Sequence, residues 1–132
     1  MNQTNQLARN DASGMENVLL VDDEVEICLL LSGILQREGF NTSYALSLKE
    51  ARERLSSGSY EVVFLDLNLP DGVGYQLIPA IRDLKEDTKI VVVSAYDVER
   101  KKAEEKGADY FVAKPFTRTK ILDVLKQLAF DQ

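Results

Sequence analysis

The sequence predicts an α/β domain built on a doubly wound, five-stranded parallel sheet. Two patterns lead there. Short, nearly continuous apolar runs suit strands buried on both faces, as in a parallel sheet covered by helices. They alternate five times with stretches whose apolar residues recur at helical spacing. Right-handed crossovers then put helices on both faces.

The elements follow in order. Residues Met1 to Gly14 carry no apolar periodicity and read as a flexible leader, with the folded domain spanning 15–132. Val18 to Val21 is the first strand, ending in Asp22-Asp23-Glu24. Ile27, Leu30, Leu31, Ile34 and Leu35 mark the first helix, which Gly39 closes. Thr42 to Ala45 is a second, weaker strand. Ser47 and Glu50 match a capping box ahead of Leu48, Ala51 and Leu55, and Gly58 ends that helix. Glu61 to Asp66 is the third strand, and Leu69-Pro70-Asp71-Gly72 is turn chemistry. Leu77, Ile78, Ile81 and Leu84 form the next helical stripe, where Pro79 demands a late start or a kink. Lys89 to Ser94 is the fourth strand. Asp97 to Lys106 is charged and helix-compatible, ending at Gly107, and its run Glu99 to Lys106 reads as a solvated helix face. Tyr110-Phe111-Val112 is the fifth strand, and Ile121, Leu122, Val124, Leu125 and Leu128 mark the last helix.

Composition excludes several functions. Apolar residues make up 45% of the chain and charged residues 29%, so a core forms without staples. No run is long enough to span a membrane, and no signal peptide precedes the domain, so the expected location is cytoplasmic. Cys28 is the single cysteine, read as a buried or half-buried small hydrophobe, and with no histidine there is neither a catalytic triad nor a zinc site. A net charge of −6 argues against nucleic-acid binding by this domain.

In parallel sheets the site lies beyond the C-terminal strand ends. Asp22 and Asp23 follow the first strand, Asp66 ends the third, Ser94 ends the fourth and Lys114 follows the fifth. Two carboxylates about 4 Å apart repel by roughly 4 kcal/mol at an effective dielectric near 20, so three need a cation. Hard oxygen ligands suit Mg2+ or Mn2+, which keep waters and bind phosphate alongside. Ser94 can donate to a phosphoryl oxygen and Lys114 can neutralise its charge, so the set fits phosphoryl transfer to a carboxylate, with Asp66 as nucleophile. Each residue also has a plainer reading: Asp22 to Glu24 and Ser94 as helix caps, Asp66 as a turn acid, Lys114 as a solvated lysine and Phe111 as core. The set together favours the site.

These same stretches resemble the receiver domain of two-component response regulators. The matching pieces are Asp22-Asp23-Glu24, Leu65-Asp66-Leu67-Asn68-Leu69-Pro70 with Gly74, Val93-Ser94-Ala95, and Gly107 through Phe116. The resemblance implies the flavodoxin-like (βα)5 fold with strand order 2-1-3-4-5. It implies that Asp66 is the phosphoacceptor, that Asp23 ligates Mg2+ directly with Asp22 assisting, and that the backbone carbonyl of Asn68 is another ligand. It assigns Ser94 and Lys114 to the phosphoryl oxygens and Ser94 with Phe111 to a conformational switch. The implied partners are a sensor histidine kinase or phosphotransfer protein, and an output partner or second copy on the face of the fourth helix, fifth strand and fifth helix. The resemblance implies a signalling acceptor, not an enzyme, with at most slow self-dephosphorylation.

Two departures stand out. The stretches Asp66–Ser94 and Ser94–Gly107 are each about two residues shorter than the family's usual spacing, so the fourth helix and its entry loop are expected to be trimmed. Tyr110 and Lys120 differ from the acids that support the common dimer face of winged-helix regulators. Other functions fit less well. A dedicated phosphohydrolase wants a second acid where Asn68 stands. A flavodoxin-like carrier wants a hydroxyl- and glycine-rich phosphate loop where Asp22-Asp23-Glu24 stands. A receiver that is never phosphorylated would not need the full residue set. The last helix runs almost to the end of the chain, leaving a stand-alone receiver or one cut before an effector.

Overall fold

The computed structural model describes residues 16–130, so the leader lies outside the described residues, as do the last two positions. The main sheet comprises β1 (Asn17–Val21), β2 (Asn41–Ala45), β3 (Val62–Asp66), β4 (Lys89–Ser94) and β5 (Tyr110–Ala113). All neighbours pair in parallel, in the order β2-β1-β3-β4-β5. The helices are α1 (Val25–Arg37), α2 (Leu48–Ser57), α3 (Ile78–Leu84), α4 (Arg100–Glu105) and α5 (Arg118–Phe130).

Alternation along each strand divides the core into two layers. Val18, Leu20, Val62, Phe64, Val91, Val93 and Val112 face α1 and α5, where they meet Leu31, Leu35, Ile121 and Val124. Leu19, Val21, Val63, Leu65, Ile90, Val92 and Phe111 face α2, α3 and α4, where they meet Ala51, Leu55, Leu77, Ile81 and Ala103. Both faces of the central strands are therefore dry, which is why they read as unbroken apolar runs. Each fully buried leucine or valine contributes about 1.5–3 kcal/mol relative to exposure.

Several elements differ in detail from the sequence expectation. In α1 the buried set is Cys28, Leu31, Ile34 and Leu35, while Leu30 is 50% exposed. At about 100° per residue, a stripe centred on Leu31 and Leu35 turns Leu30 to its edge and brings Cys28 inward. Leu84 is also outward, at 60% exposure. A 3-10 turn over Gly74–Leu77 precedes α3 and breaks the phase, so Leu84 stands about 240° round the helix from Ile78. Pro79 sits in the first turn of α3, and the helix begins late as its ring requires.

The capping box at Ser47 is displaced by one residue. Ser47 Oγ accepts from the Glu50 N–H at 3.1 Å, but Glu50 Oε1 accepts from the Leu46 N–H at 2.9 Å, not from Ser47. The carboxylate of Asp71, from a distant loop, takes the next two helical donors: the N–H of Leu48 at 2.8 Å and of Lys49 at 3.0 Å. Those bonds hold the Asp71 carboxyl below its ordinary pKa. The turn around Pro70 closes a two-residue antiparallel hairpin, Asn68–Leu69 against Gly72–Val73. The fourth helix is indeed short: a 3-10 turn over Asp97–Glu99 leads into the six residues of α4. Gly39, at φ 94°, ends α1 in the left-handed region that disfavours a side chain.

Candidate functional site

The strand ends converge because the sheet is parallel and every crossover returns to the same edge. Asp22 follows β1 and its N–H continues the ladder to the Ala45 carbonyl at 3.1 Å. Asp66 closes β3 opposite Val93, and Ser94 closes β4 opposite Ala113. Lys114 follows β5, anchored by its N–H to the Ser94 carbonyl at 2.8 Å.

Asp22, Asp23 and Asp66 each bring a carboxylate oxygen within 4.8 Å of the others. Asp22 and Asp66 are buried, whereas Asp23 is exposed. Lys114 Nζ lies 2.9 Å from Asp22 Oδ2, 3.6 Å from Asp66 Oδ1 and 3.6 Å from Glu24 Oε1. One ammonium thus faces several carboxylates, and the cluster carries excess negative charge.

The carboxylates differ in support. Asp22 Oδ1 accepts from the Glu24 N–H at 2.8 Å, which fixes its rotamer at the start of α1. Asp66 Oδ1 accepts from the Leu67 N–H at 2.9 Å. Burial and the neighbouring charge of Asp22 push the Asp66 carboxyl up to about 6, against the opposing pull of Lys114. Burial alone would lower the Lys114 pKa, but its hydrogen bond to Asp22 and the charge of Asp66 outweigh that and raise it. Burial, then Asp22, pushes the Cys28 thiol up to about 11, and its Sγ donates to the Asp22 carbonyl at 3.4 Å. Cys28 is therefore an inert part of the floor.

The donor set fits a hard divalent cation. Its three ligand groups are carboxylates, two are buried without full charge compensation, and the exposed Asp23 leaves an open side toward solvent. Asn68, at the mouth of the small hairpin, is exposed and stands two residues after Asp66. Gly74 explains why that loop comes so close: a Cβ there would stand 2.2 Å from the Asp66 carbonyl oxygen, and the Gly74 N–H donates to the Leu67 carbonyl at 2.8 Å. Asp71 and Gly74 shape this loop from positions that carry no chemistry. The closeness of Gly74 to Asp66 had a sequence signal in the glycine-rich turn; the capping by Asp71 had none.

Ser94 is buried, and its Oγ accepts from the Tyr96 N–H at 3.1 Å. It thus serves as a local cap as well as lining the strand edge. Phe111 is buried on the α4 side of the sheet, with the Arg100 guanidinium 4.7 Å above its ring centroid. Beside it, a groove of about 610 Å³ runs between α4, β5 and α5, lined by Arg100, Tyr110, Phe111, Lys120 and Val124. This groove lies apart from the carboxylates, none of which lines it. No helix among the described residues is long and apolar enough to cross a membrane.

Comparison with known proteins finds relatives that share the domain. The response regulator receiver domain family model matches residues 18–126. The swarming motility regulation protein RssB of Serratia marcescens is 33% identical over 112 residues, covering 83% of this chain and 51% of that protein. The transcriptional regulatory protein SrrA of Staphylococcus aureus is 35% identical over 113 residues, covering 84% of this chain and 46% of that protein. The chain therefore spans about half the length of these relatives. Among solved structures, response regulator TrrA of Thermotoga maritima, in complex with Mg(2+)-BeF, superposes with a TM-score of 0.78 at 35% identity, covering 86% of this chain and 99% of that one. The chemotaxis protein CheY4 of Vibrio cholerae gives a TM-score of 0.79 at 25% identity, covering 87% and 99%.

Proposed function

The chain belongs to the response regulator receiver domain family, and on that premise we propose that Asp66 is its phosphoacceptor, served by a divalent cation on Asp22, Asp23 and Asp66. It is a two-component response regulator receiver. The observation that carries the assignment is the buried Asp66 carboxylate, clustered with Asp22 and Asp23 and 3.6 Å from the Lys114 ammonium.

In the proposed step an Asp66 oxygen attacks the phosphorus of the donor. A P–O bond forms as the bond from phosphorus to the donor breaks. The electron pair leaves with the donor, a phosphohistidine imidazole or the acetate of acetyl phosphate. A bound Mg2+ would supply charge neutralisation for the incoming phosphoryl oxygens, with Asp23 and the Asn68 backbone carbonyl completing its protein ligands. Mn2+ suits the same oxygens. Lys114 is close enough to Asp66 to pair with a new phosphoryl oxygen by giving up part of its hold on Asp22. Ser94 Oγ would turn from the Tyr96 N–H to donate to another. Asn68 offers an amide two residues beyond the nucleophile, with no acid to activate water, so hydrolysis of the acyl phosphate is slow.

The phosphodonor is a sensor histidine kinase or phosphotransfer protein. A groove of about 320 Å³ lined by Ile27, Leu30, Ala95, Lys114, Pro115 and Phe116 lies at the rim of the site, and the exposure of Leu29 and Leu30 beside it supports docking of an apolar partner surface. The output is read on the α4-β5-α5 face by a partner or a second copy, and Phe111 is its link to Ser94. The test is intact-mass measurement after acetyl phosphate or phosphoramidate with magnesium. Wild type should gain one phosphoryl group and Asp66→Asn none; equal gain in the variant would refute the assignment.

A further inference from the structure

Tyr75 and Glu99 join two segments that flank the site. Tyr75 directly follows Gly74, whose backbone is pressed against the Asp66 carbonyl, so its Cα is fixed relative to the phosphoacceptor. Its ring packs against the core layer under α3, and its hydroxyl donates to Glu99 Oε1 at 2.8 Å. Burial and the bond to Glu99 hold the phenol well above its ordinary pKa, so it remains a donor through neutral pH. Lys102 lies 5.6 Å over the same ring.

Glu99 closes the 3-10 turn that connects Ser94 to α4. That turn buries nothing: Tyr96 is 59% exposed and Val98 86%. It is held by polar contacts, Ser94 Oγ to the Tyr96 N–H at one end and Tyr75 to Glu99 at the other, with Arg100 over the Phe111 ring just beyond. The Arg100–Asp97 pair is internal to the segment and exposed. Segments without apolar burial sit at the low end of local stability, where one hydrogen bond to a carboxylate is a large fraction of the hold.

We propose that the Tyr75–Glu99 hydrogen bond is a latch that keeps the β4–α4 segment in its resting position, so that Tyr75 sets how far the domain is switched before any phosphoryl group arrives. The inference rests on the receiver reading above. When Ser94 turns toward Asp66 it releases the near end of the segment, and the latch is what still resists at the far end. Weakening it shifts the two-state balance toward the switched form without touching the phosphorylation chemistry.

Tyr75→Phe keeps the ring and its packing while removing the donor. In unphosphorylated protein without metal, hydrogen exchange at amides 95–105 should rise about three- to tenfold, with β1 and β3 amides unchanged. Glu99→Gln, which keeps an acceptor, should give a smaller rise. Beryllofluoride with magnesium should then change those amides less in Tyr75→Phe than in wild type. Unchanged exchange at 95–105, or a rise spread equally over the sheet, would overturn the latch. Intact-mass labelling tells the two readings apart. Normal labelling of wild type with unchanged exchange in the variant overturns the latch alone, whereas absence of labelling in wild type overturns the receiver reading and the latch with it.

Discussion

Lys114 Nζ stands closer to Asp22, at 2.9 Å, than to Asp66, at 3.6 Å. In the resting state the lysine is thus spent chiefly on a carboxylate that the proposed chemistry gives to the metal. Both carboxylates are buried, and this one ammonium offsets part of their mutual repulsion.

Removing it has two consequences. Lys114→Ala leaves two buried carboxylates facing each other, and in chelator it should lose roughly 3 kcal/mol of stability, the cost of stranding a buried charge. Magnesium should raise its melting temperature more than that of wild type. The variant should still accept phosphate from a small donor yet fail to alter the α4-β5-α5 face, which chemical-shift mapping would read. An unchanged stability in chelator would contradict the role drawn from the 2.9 Å contact.

Phosphorylation should stop in excess chelator. Asp23→Ala should weaken magnesium binding more than Asp22→Ala, because Asp23 is the exposed carboxylate and Asp22 is already engaged by Lys114 and the Glu24 N–H. Titration calorimetry of the two variants measures the order, and the reverse order would refute it.

Gly74→Ala tests the loop that carries Asp66's neighbours. Its Cβ would lie 2.2 Å from a backbone oxygen, a clash that no side-chain rotation relieves. The expected cost is at least about 2 kcal/mol, with slower labelling of Asp66, read by urea denaturation and intact mass.

Asp71 gives a pH-dependent prediction. Its carboxyl is held below the ordinary value of 3.8 by the Leu48 and Lys49 N–H groups. A depressed folded pKa means stability that is present above the unfolded value and lost as pH falls through the folded one. Asp71→Ala should therefore melt earlier than wild type at pH 7, with the gap closing as pH drops below about 4. A gap that does not narrow at all as pH falls below 3.8 would point to packing instead.

Much of this protein was decided by local pattern. Continuous apolar runs such as Val18–Val21 and Ile90–Val93 suit strands covered by helices on both faces, which favours the parallel sheet. The sheet in turn carries Asp22, Asp66, Ser94 and Lys114 to one edge. What the pattern could not reveal depends on relations between distant segments. The rotation of α1 that turns Leu30 outward follows from what α1 packs on, not from its own spacing. The capping of α2 by Asp71 and the Tyr75–Glu99 bond join residues 23 and 24 positions apart in the chain. The sharing of Lys114 between Asp22 and Asp66 spans still longer separations, and its distances arise only when three strand ends meet. Apolar burial is non-directional and reads from composition along each element; hydrogen bonds and ion pairs demand a geometry that exists only after the layers have packed.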